Sequence, residues 1–139
     1  MFELAEDSEQ QLSAYLYLGE VLVAREGERI IGHLQLIPCD EPEAVELKSL
    51  AVVEEWQGRG VGRALIEEAA RRSAADGFSR MLVSTAAADV GALRFYQRTG
   101  FRMLSVERDA FTPATGYPEP ILIDGIQLCD RVWFDRTLS

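Results

Sequence analysis

Cysteine and histidine are scarce in this sequence: two cysteines, Cys39 and Cys129, and one histidine, His33, in 139 residues. The cysteines lie far apart and lack C-x-x-C spacing, so both read as reduced, partly buried thiols rather than a disulfide framework. One histidine with two scattered cysteines makes a poor ligand set, and no metal is expected. Positive charge is also short, with 14 Lys and Arg against 23 Asp and Glu and a net charge of -9. That balance argues against a nucleic-acid or anionic-membrane partner, which would need a basic surface. It suits a cationic small partner better than an anionic one, although solubility alone also accounts for it. Long apolar runs are missing, since none approaches the roughly 18 residues that span a bilayer. The N-terminus lacks the basic-then-apolar form of a signal peptide. The expectation is a soluble, cytoplasmic protein without repeats or low-complexity tracts.

What is present is ordinary for one globular domain over residues 1–139: 47% apolar and 27% charged residues, enough chain to close a core unaided. Asp7 to Leu18 has the pattern of a short amphipathic helix, with Leu12, Tyr15 and Leu16 along one face. Val21 to Arg25 and Ile30 to Ile37 read as strands of an antiparallel hairpin, with Glu26-Gly27-Glu28-Arg29 as the turn and Pro38 as the stop. Ala44 to Val53 alternates at first and then runs apolar, as a central strand that is bulged or buried on both faces.

From Gly60 to Asp76 the period becomes helical. Glu67–Arg71 and Glu68–Arg72 are expected pairs on the solvent side, and Gly77 is the stop. A strand over Arg80 to Thr85, a helix over Val90 to Arg98 capped by Asp89, and a strand over Phe101 to Arg108 follow. Asp109 to Asp124 reads as loop and Ile126 to Leu138 as the last strand. The order predicts a mixed sheet with helices on its faces, and a parallel strand pair bridged by the Gly60–Asp76 helix.

The strand–loop–helix unit over residues 46–76 carries the strongest chemical signal. Gly58, Gly60 and Gly62 stand at the helix entrance. Glycine there permits positive φ and lets a ligand approach the backbone. The helix N-terminus offers unpaired N–H groups and the positive end of the macrodipole, which suits a phosphate. Neither G-x-G-x-x-G nor G-x-x-x-x-G-K-[ST] is present, so the dinucleotide fingerprint and the nucleotide P-loop both fail. A helix entry that needs glycine for close packing is the competing explanation.

The run Leu50-Ala51-Val52, then four residues, then Gln57-Gly58-Arg59-Gly60-Val61-Gly62 resembles the [RQ]-x-x-G-x-[GA] signature of the GNAT superfamily of N-acetyltransferases. Asp89-Val90-Gly91-Ala92-Leu93-Arg94-Phe95-Tyr96-Gln97-Arg98-Thr99-Gly100-Phe101 resembles the same family's N-x-x-A-x-x-F-Y-x-x-x-G-F helix. Two motifs in the right order on the right elements are far more specific than either alone. The resemblance covers about residues 20–108, and the elements before it look reduced relative to the family. It implies an α/β, GNAT-like fold: a mixed, mostly antiparallel sheet with a parallel, splayed strand pair, flanked by helices.

The resemblance further implies acetyl-CoA as co-substrate, with no metal. Backbone groups of Gln57, Gly58, Arg59, Gly60, Val61 and Gly62 would bind its pyrophosphate, and Arg59 and Arg63 could add charge-assisted contacts. In the family a bulge splays the central strand, the pantetheine arm pairs with the freed edge, and a backbone N–H polarises the thioester carbonyl. That role falls on the main chain of Leu50, Ala51 and Val52. Tyr96 matches the tyrosine that protonates the leaving thiolate, and Glu46 matches a position where some members carry a catalytic glutamate. Asp89 stands where the family usually has asparagine. A carboxylate only accepts hydrogen bonds, so a cofactor contact there competes with simple helix capping.

Candidate acceptor-lining residues are Tyr15, Tyr17, His33, Phe111 and Tyr117. Glu43, Glu46 and Asp124 would favour an acceptor with a positive amine. The expected reaction is acetyl transfer to a primary amine of a small molecule or peptide. The alternatives on the same fold are an acyl-CoA sensor without turnover and a module that dimerises through its last strands.

Overall fold

Alternating apolar and polar residues build a three-stranded antiparallel sheet at the start of the described chain. The computed structural model describes residues 20–139; the helix expected over Asp7 to Leu18, with Tyr15 and Tyr17, lies outside them. The chain divides into two compact units, one holding the described residues up to Met81 with Thr137–Ser139 and the other Leu82–Arg136.

In the first unit, β1 (Glu20–Glu26), β2 (Arg29–Pro38) and β3 (Ala44–Val52) pair antiparallel in chain order. Gly27, at φ 60°, makes the tight β1–β2 turn that the sequence predicts. Helix α1 (Val61–Ala75) packs on one face of this sheet. Its apolar stripe, Leu65, Ile66, Ala69 and Ala70, is buried, as are Leu22, Leu34, Leu36 and Leu47. The helix comes close at Gly32, where a Cβ would lie 3.3 Å from side-chain atoms of Val61 and Leu65 and 3.1 Å from the Ala51 carbonyl oxygen. Glycine is therefore required there for contact rather than for backbone freedom.

The β2–β3 register shifts between Gln35 and Leu36: Gln35 faces Ser49, whereas Leu36 faces Leu47. Lys48 is thus an extra residue, a bulge in β3 just before Leu50-Ala51-Val52.

On the solvent side of α1 the expected Glu68–Arg72 pair forms, and Arg71 joins it on Glu68. Glu68 takes both Arg71, at 2.6 Å, and Arg72, at 2.8 Å. The two guanidinium groups hold the Glu68 carboxyl down at about 2.

In the second unit β8 (Arg131–Thr137) lies between β4 (Arg80–Ala86, whose first residues belong to the first unit) and β5 (Arg102–Glu107). Helix α2 (Val90–Arg98) packs against β5. Its core is aromatic: Tyr96 stands 5.7 Å from Phe101 and 6.0 Å from Phe134 between ring centroids. Phe134 is fully buried, and filling such a site with an aromatic ring contributes about 1.5–3 kcal/mol by transfer alone.

The C-terminal part departs from the single strand expected over Ile126 to Leu138. Ile126–Gln127 forms β7 of a separate small hairpin with β6 (Leu122–Ile123), and β8 starts only at Arg131. The cause is Asp124-Gly125, at φ 49° and 84°, a turn pair that folds the chain back on itself. The loop before it contains a short 3-10 turn at Pro113–Thr115. Among the described residues, no helix is long and apolar enough to cross a membrane.

Candidate active site

Gln57 ties the glycine loop to the strand before it. Its Nε2 donates to the Val52 carbonyl oxygen at 2.9 Å, which closes the segment from the end of β3, through the 3-10 turn Glu54–Trp56, to the loop. Gly58 and Gly60 then take φ 77° and 86°. A Cβ at either position would meet nothing within 4 Å. Close packing therefore does not explain these glycines, whereas the left-handed backbone does, because other residues adopt it at a cost of about 1–2 kcal/mol.

Gly60 is the N-cap of α1 and has no side chain to offer. The first intrahelical bond runs from Ala64 N–H to the Gly60 carbonyl at 2.9 Å. The first-turn N–H groups before it need partners from outside the helix. The first turn carries no acidic residue, so no built-in anion competes for the positive helix end. Arg59 lies beside this opening with its guanidinium 4.7 Å over the Trp56 ring, a stacking contact that orients the group. Arg63 is exposed on the first turn.

β3 supplies the other half of the first unit's site. Leu50, Ala51 and Val52 are half-buried, and so is Glu46. His33 is 5% exposed and its Nε2 lies 3.2 Å from Ser49 Oγ. Glu43 is exposed, and its carbonyl accepts from Ser79 N–H at 2.8 Å.

Asp89 and Tyr96 belong to the second unit. Asp89 caps α2, its Oδ1 accepting from Ala92 N–H at 3.0 Å, as a short carboxylate at an N-cap should. Tyr96, about two turns further along α2, has its phenol pushed up to about 12, first by burial and then by the Asp89 carboxylate. The group stays a neutral hydrogen-bond donor across all ordinary pH. A thiol loses its proton near 8.5, so such a phenol stabilises a departing thiolate mainly by donating a hydrogen bond rather than by surrendering the proton outright.

The loop between β5 and β8 encloses a cavity of about 90 Å³ lined by Phe111, Pro113, Tyr117, Pro118, Pro120 and Leu128 among others. Phe111 and Tyr117 meet edge to face at 5.3 Å, and Arg131 sits 5.0 Å over Phe111. Asp124 occupies the turn of the small hairpin. Asp109, Cys129 and Asp130 gather in the same unit, a grouping that the sequence reading missed because the residues are 20 positions apart. Hydrogen bonding to Asp130, followed by burial, raises the Cys129 thiol above its ordinary value.

Residues 2–101 match the family model described as Acetyltransferase (GNAT) family. An uncharacterized N-acetyltransferase of Bacillus subtilis, YvbK, is 31% identical over 93% of this chain and 81% of its own length. A Bacillus subtilis acetyltransferase solved in complex with CoA superposes with a TM-score of 0.87 at 28% identity, covering 100% of this chain and 93% of that one. A GNAT family acetyltransferase from Elizabethkingia anophelis with acetyl-CoA bound gives 0.83 at 29% identity, over 96% and 85%. An IAA acetyltransferase from Bacillus cereus gives 0.81 at 32% identity, over 96% and 87%. The mixed, mostly antiparallel sheet with one parallel pair and flanking helices is the fold of these proteins. With both motifs on the elements that the resemblance requires, the chain belongs to the acetyltransferase (GNAT) family and is an acetyl-CoA-dependent N-acetyltransferase.

Proposed function

We propose that this enzyme moves the acetyl group of acetyl-CoA to a primary amine of a small molecule or peptide by direct attack. One observation carries the reading: an uncapped α1 N-terminus entered through Gly58 and Gly60 at positive φ, with nothing packed where their side chains would be. Such a cradle suits a pyrophosphate. The main chain of Gln57, Gly58, Arg59, Gly60, Val61 and Gly62 binds it, and Arg59 and Arg63 add charge. Asp89 is a further cofactor contact through the carboxylate oxygen that does not cap the helix.

The main chain of Leu50, Ala51 and Val52 lies along the acyl arm, where an N–H stabilises the oxyanion of the tetrahedral intermediate. Glu46, directly or through water, takes the proton that the amine must lose. The C–N bond forms, the C–S bond breaks, and Tyr96 donates a hydrogen bond to the leaving sulfur. The net charge of -9 and the carboxylates of Glu43, Glu46 and Asp124 favour a cationic acceptor. Phe111 and Tyr117 line a cavity within the β5–β8 loop whose aromatic walls suit an apolar or aromatic body.

The test is release of CoA thiol from acetyl-CoA with tyramine, spermidine and an Ala-initial tetrapeptide. Turnover above the hydrolysis background with at least one amine is the expected result. Saturable acetyl-CoA binding with no turnover on any amine or peptide would favour the sensor reading instead. A self-association role has its own support in β5, an edge strand of its unit that exposes Met103, Leu104 and Val106. A monomer at all concentrations in sedimentation would remove it.

A further inference from the structure

We propose that Ser49, backed by His33, is a positioning residue that holds the acceptor amine next to Glu46. The inference rests on Glu46 as the base and on β3 as the acyl-arm strand. In a regular strand, residues three apart point to opposite faces. Glu46 and Ser49 are three apart, yet the Lys48 bulge resets the alternation between them. The register makes this explicit. Glu46 faces Ile37, Ser49 faces Gln35 and Ala51 faces His33, and these three β2 residues alternate onto one side. Leu34, Leu36 and Gly32 take the other side, where α1 packs. The bulge therefore gathers Glu46, Ser49 and Ala51 on the face away from the helix, with His33 and Gln35 beside them.

Polar side chains buried on a sheet face need partners. His33, 5% exposed, and Gln35, fully buried, form a fixed polar backing. Ser49 is half-buried, so its hydroxyl is within reach of a ligand. A hydroxyl offers one donor and two acceptor positions. The 3.2 Å contact with His33 Nε2 takes one of these and fixes the rotor. What remains can accept an N–H of a neutral amine or donate to its lone pair. Ser49 also directly precedes Leu50. A group held by Ser49 thus stands between the candidate base and the strand that binds the thioester, which is where the attacking nitrogen must be. A cross-strand tie with no role in substrate binding would need neither Glu46 on the same face nor a residue left half-buried beside it.

The test uses the full chain with acetyl-CoA and the best acceptor among tyramine, spermidine and the Ala-initial tetrapeptide, comparing wild type with S49A, H33L, H33Q and E46Q. S49A should lower kcat/KM for the amine about tenfold, the usual scale of one lost hydrogen bond, mainly through KM. The KM for acetyl-CoA should stay within about twofold, because the pyrophosphate cradle is untouched. H33L should match S49A, the double variant should be no worse than either, and H33Q, which keeps a hydrogen-bonding side chain, should recover most of the loss. An S49A enzyme with wild-type kcat/KM for the amine overturns the proposal, as does a loss that appears equally in the KM for acetyl-CoA. If E46Q is unimpaired, the base assignment fails; if E46Q is impaired while S49A and H33L are not, only the present proposal fails. No turnover of any amine by wild type removes both.

Discussion

The Gln57 side chain donates to the Val52 carbonyl oxygen at 2.9 Å, so the first residue of the glycine signature is a brace between the end of β3 and the glycine loop. In the proposed complex its amide serves the protein while its backbone is left for the ligand. A change in the brace should therefore be felt at both ends of the cofactor. Gln57→Ala is expected to cost about 0.5–1.5 kcal/mol in stability and to raise the KM for acetyl-CoA severalfold with the KM for the amine unchanged. Urea melts and initial rates at varied acetyl-CoA check this. Gln57→Glu, which cannot donate to a carbonyl at neutral pH, should behave like the alanine variant.

Gly60→Ala tests the loop from the other side. There is room for the methyl group, so any penalty arises from the backbone at φ 86° and amounts to about 1–2 kcal/mol. The loop either strains or changes conformation, and acetyl-CoA affinity should fall accordingly by calorimetry. Gly91→Ala is the control, because Gly91 is absent from the positive-φ residues and sits inside α2.

Tyr96 sets a pH expectation of definite sign. With its phenol at about 12 in the fold and near 10 when unfolded, the hydrogen-bond donor persists throughout the working range. Tyr96→Phe should lower kcat by about 10²-fold, the scale of one lost transition-state hydrogen-bond donor, by the same factor from pH 6 to pH 10. Stability carries the matching signature. The buried neutral phenol favours the fold fully below pH 10, and this contribution is lost as pH rises toward 12, by about 3 kcal/mol. Denaturation at pH 9 and pH 11.5 should show about 2 kcal/mol of that loss in wild type and none of it in Tyr96→Phe.

The second unit depends on Phe134. Its ring is fully buried beside Tyr96, and Phe134→Ala should cost about 3–5 kcal/mol. Phe134→Leu should cost less and leave acetyl-CoA binding intact, as calorimetry and thermal melts can show.

Cys129 gives a chemical readout. Its thiol is raised first by the hydrogen bond to Asp130, so at pH 8 it should alkylate slowly. Asp130→Asn should speed its reaction with iodoacetamide, measured by mass spectrometry of the modified peptide. A slower reaction in the variant would contradict the assigned cause.

Much of this was legible in the sequence because local rules and tertiary structure agree. The β1–β2 hairpin, both helices and their stops follow from periodicity and glycine placement, and α2 begins at the predicted residue because Asp89 does cap it. The last hairpin was not read as one, although Asp124-Gly125 between apolar residues is a strong turn signal. Ile126-Gln127-Leu128 looked continuous with the strand beyond, and that continuity prevailed in the sequence reading. Other features were beyond reach. That the expected bulge falls at Lys48 depends on the partner strand, the choice of Glu68 for Arg71 depends on rotamers, and the contact of Tyr96 with Phe134 joins residues far apart along the chain. The glycine loop was ambiguous between packing and ligand approach; the empty space around Gly58 and Gly60 removes close packing at those two positions and leaves their positive φ.

The central claim is that the loop from Gln57 to Gly62 grips the pyrophosphate, and its most direct measurement is a crystal structure of the protein with acetyl-CoA bound. The account predicts pyrophosphate oxygens within about 3 Å of main-chain N–H groups of Gly58–Gly62, ordinary hydrogen-bond distance, with the acyl arm running along Leu50–Val52. A bound acetyl-CoA whose pyrophosphate lies on another element, with that loop left in solvent, would contradict it.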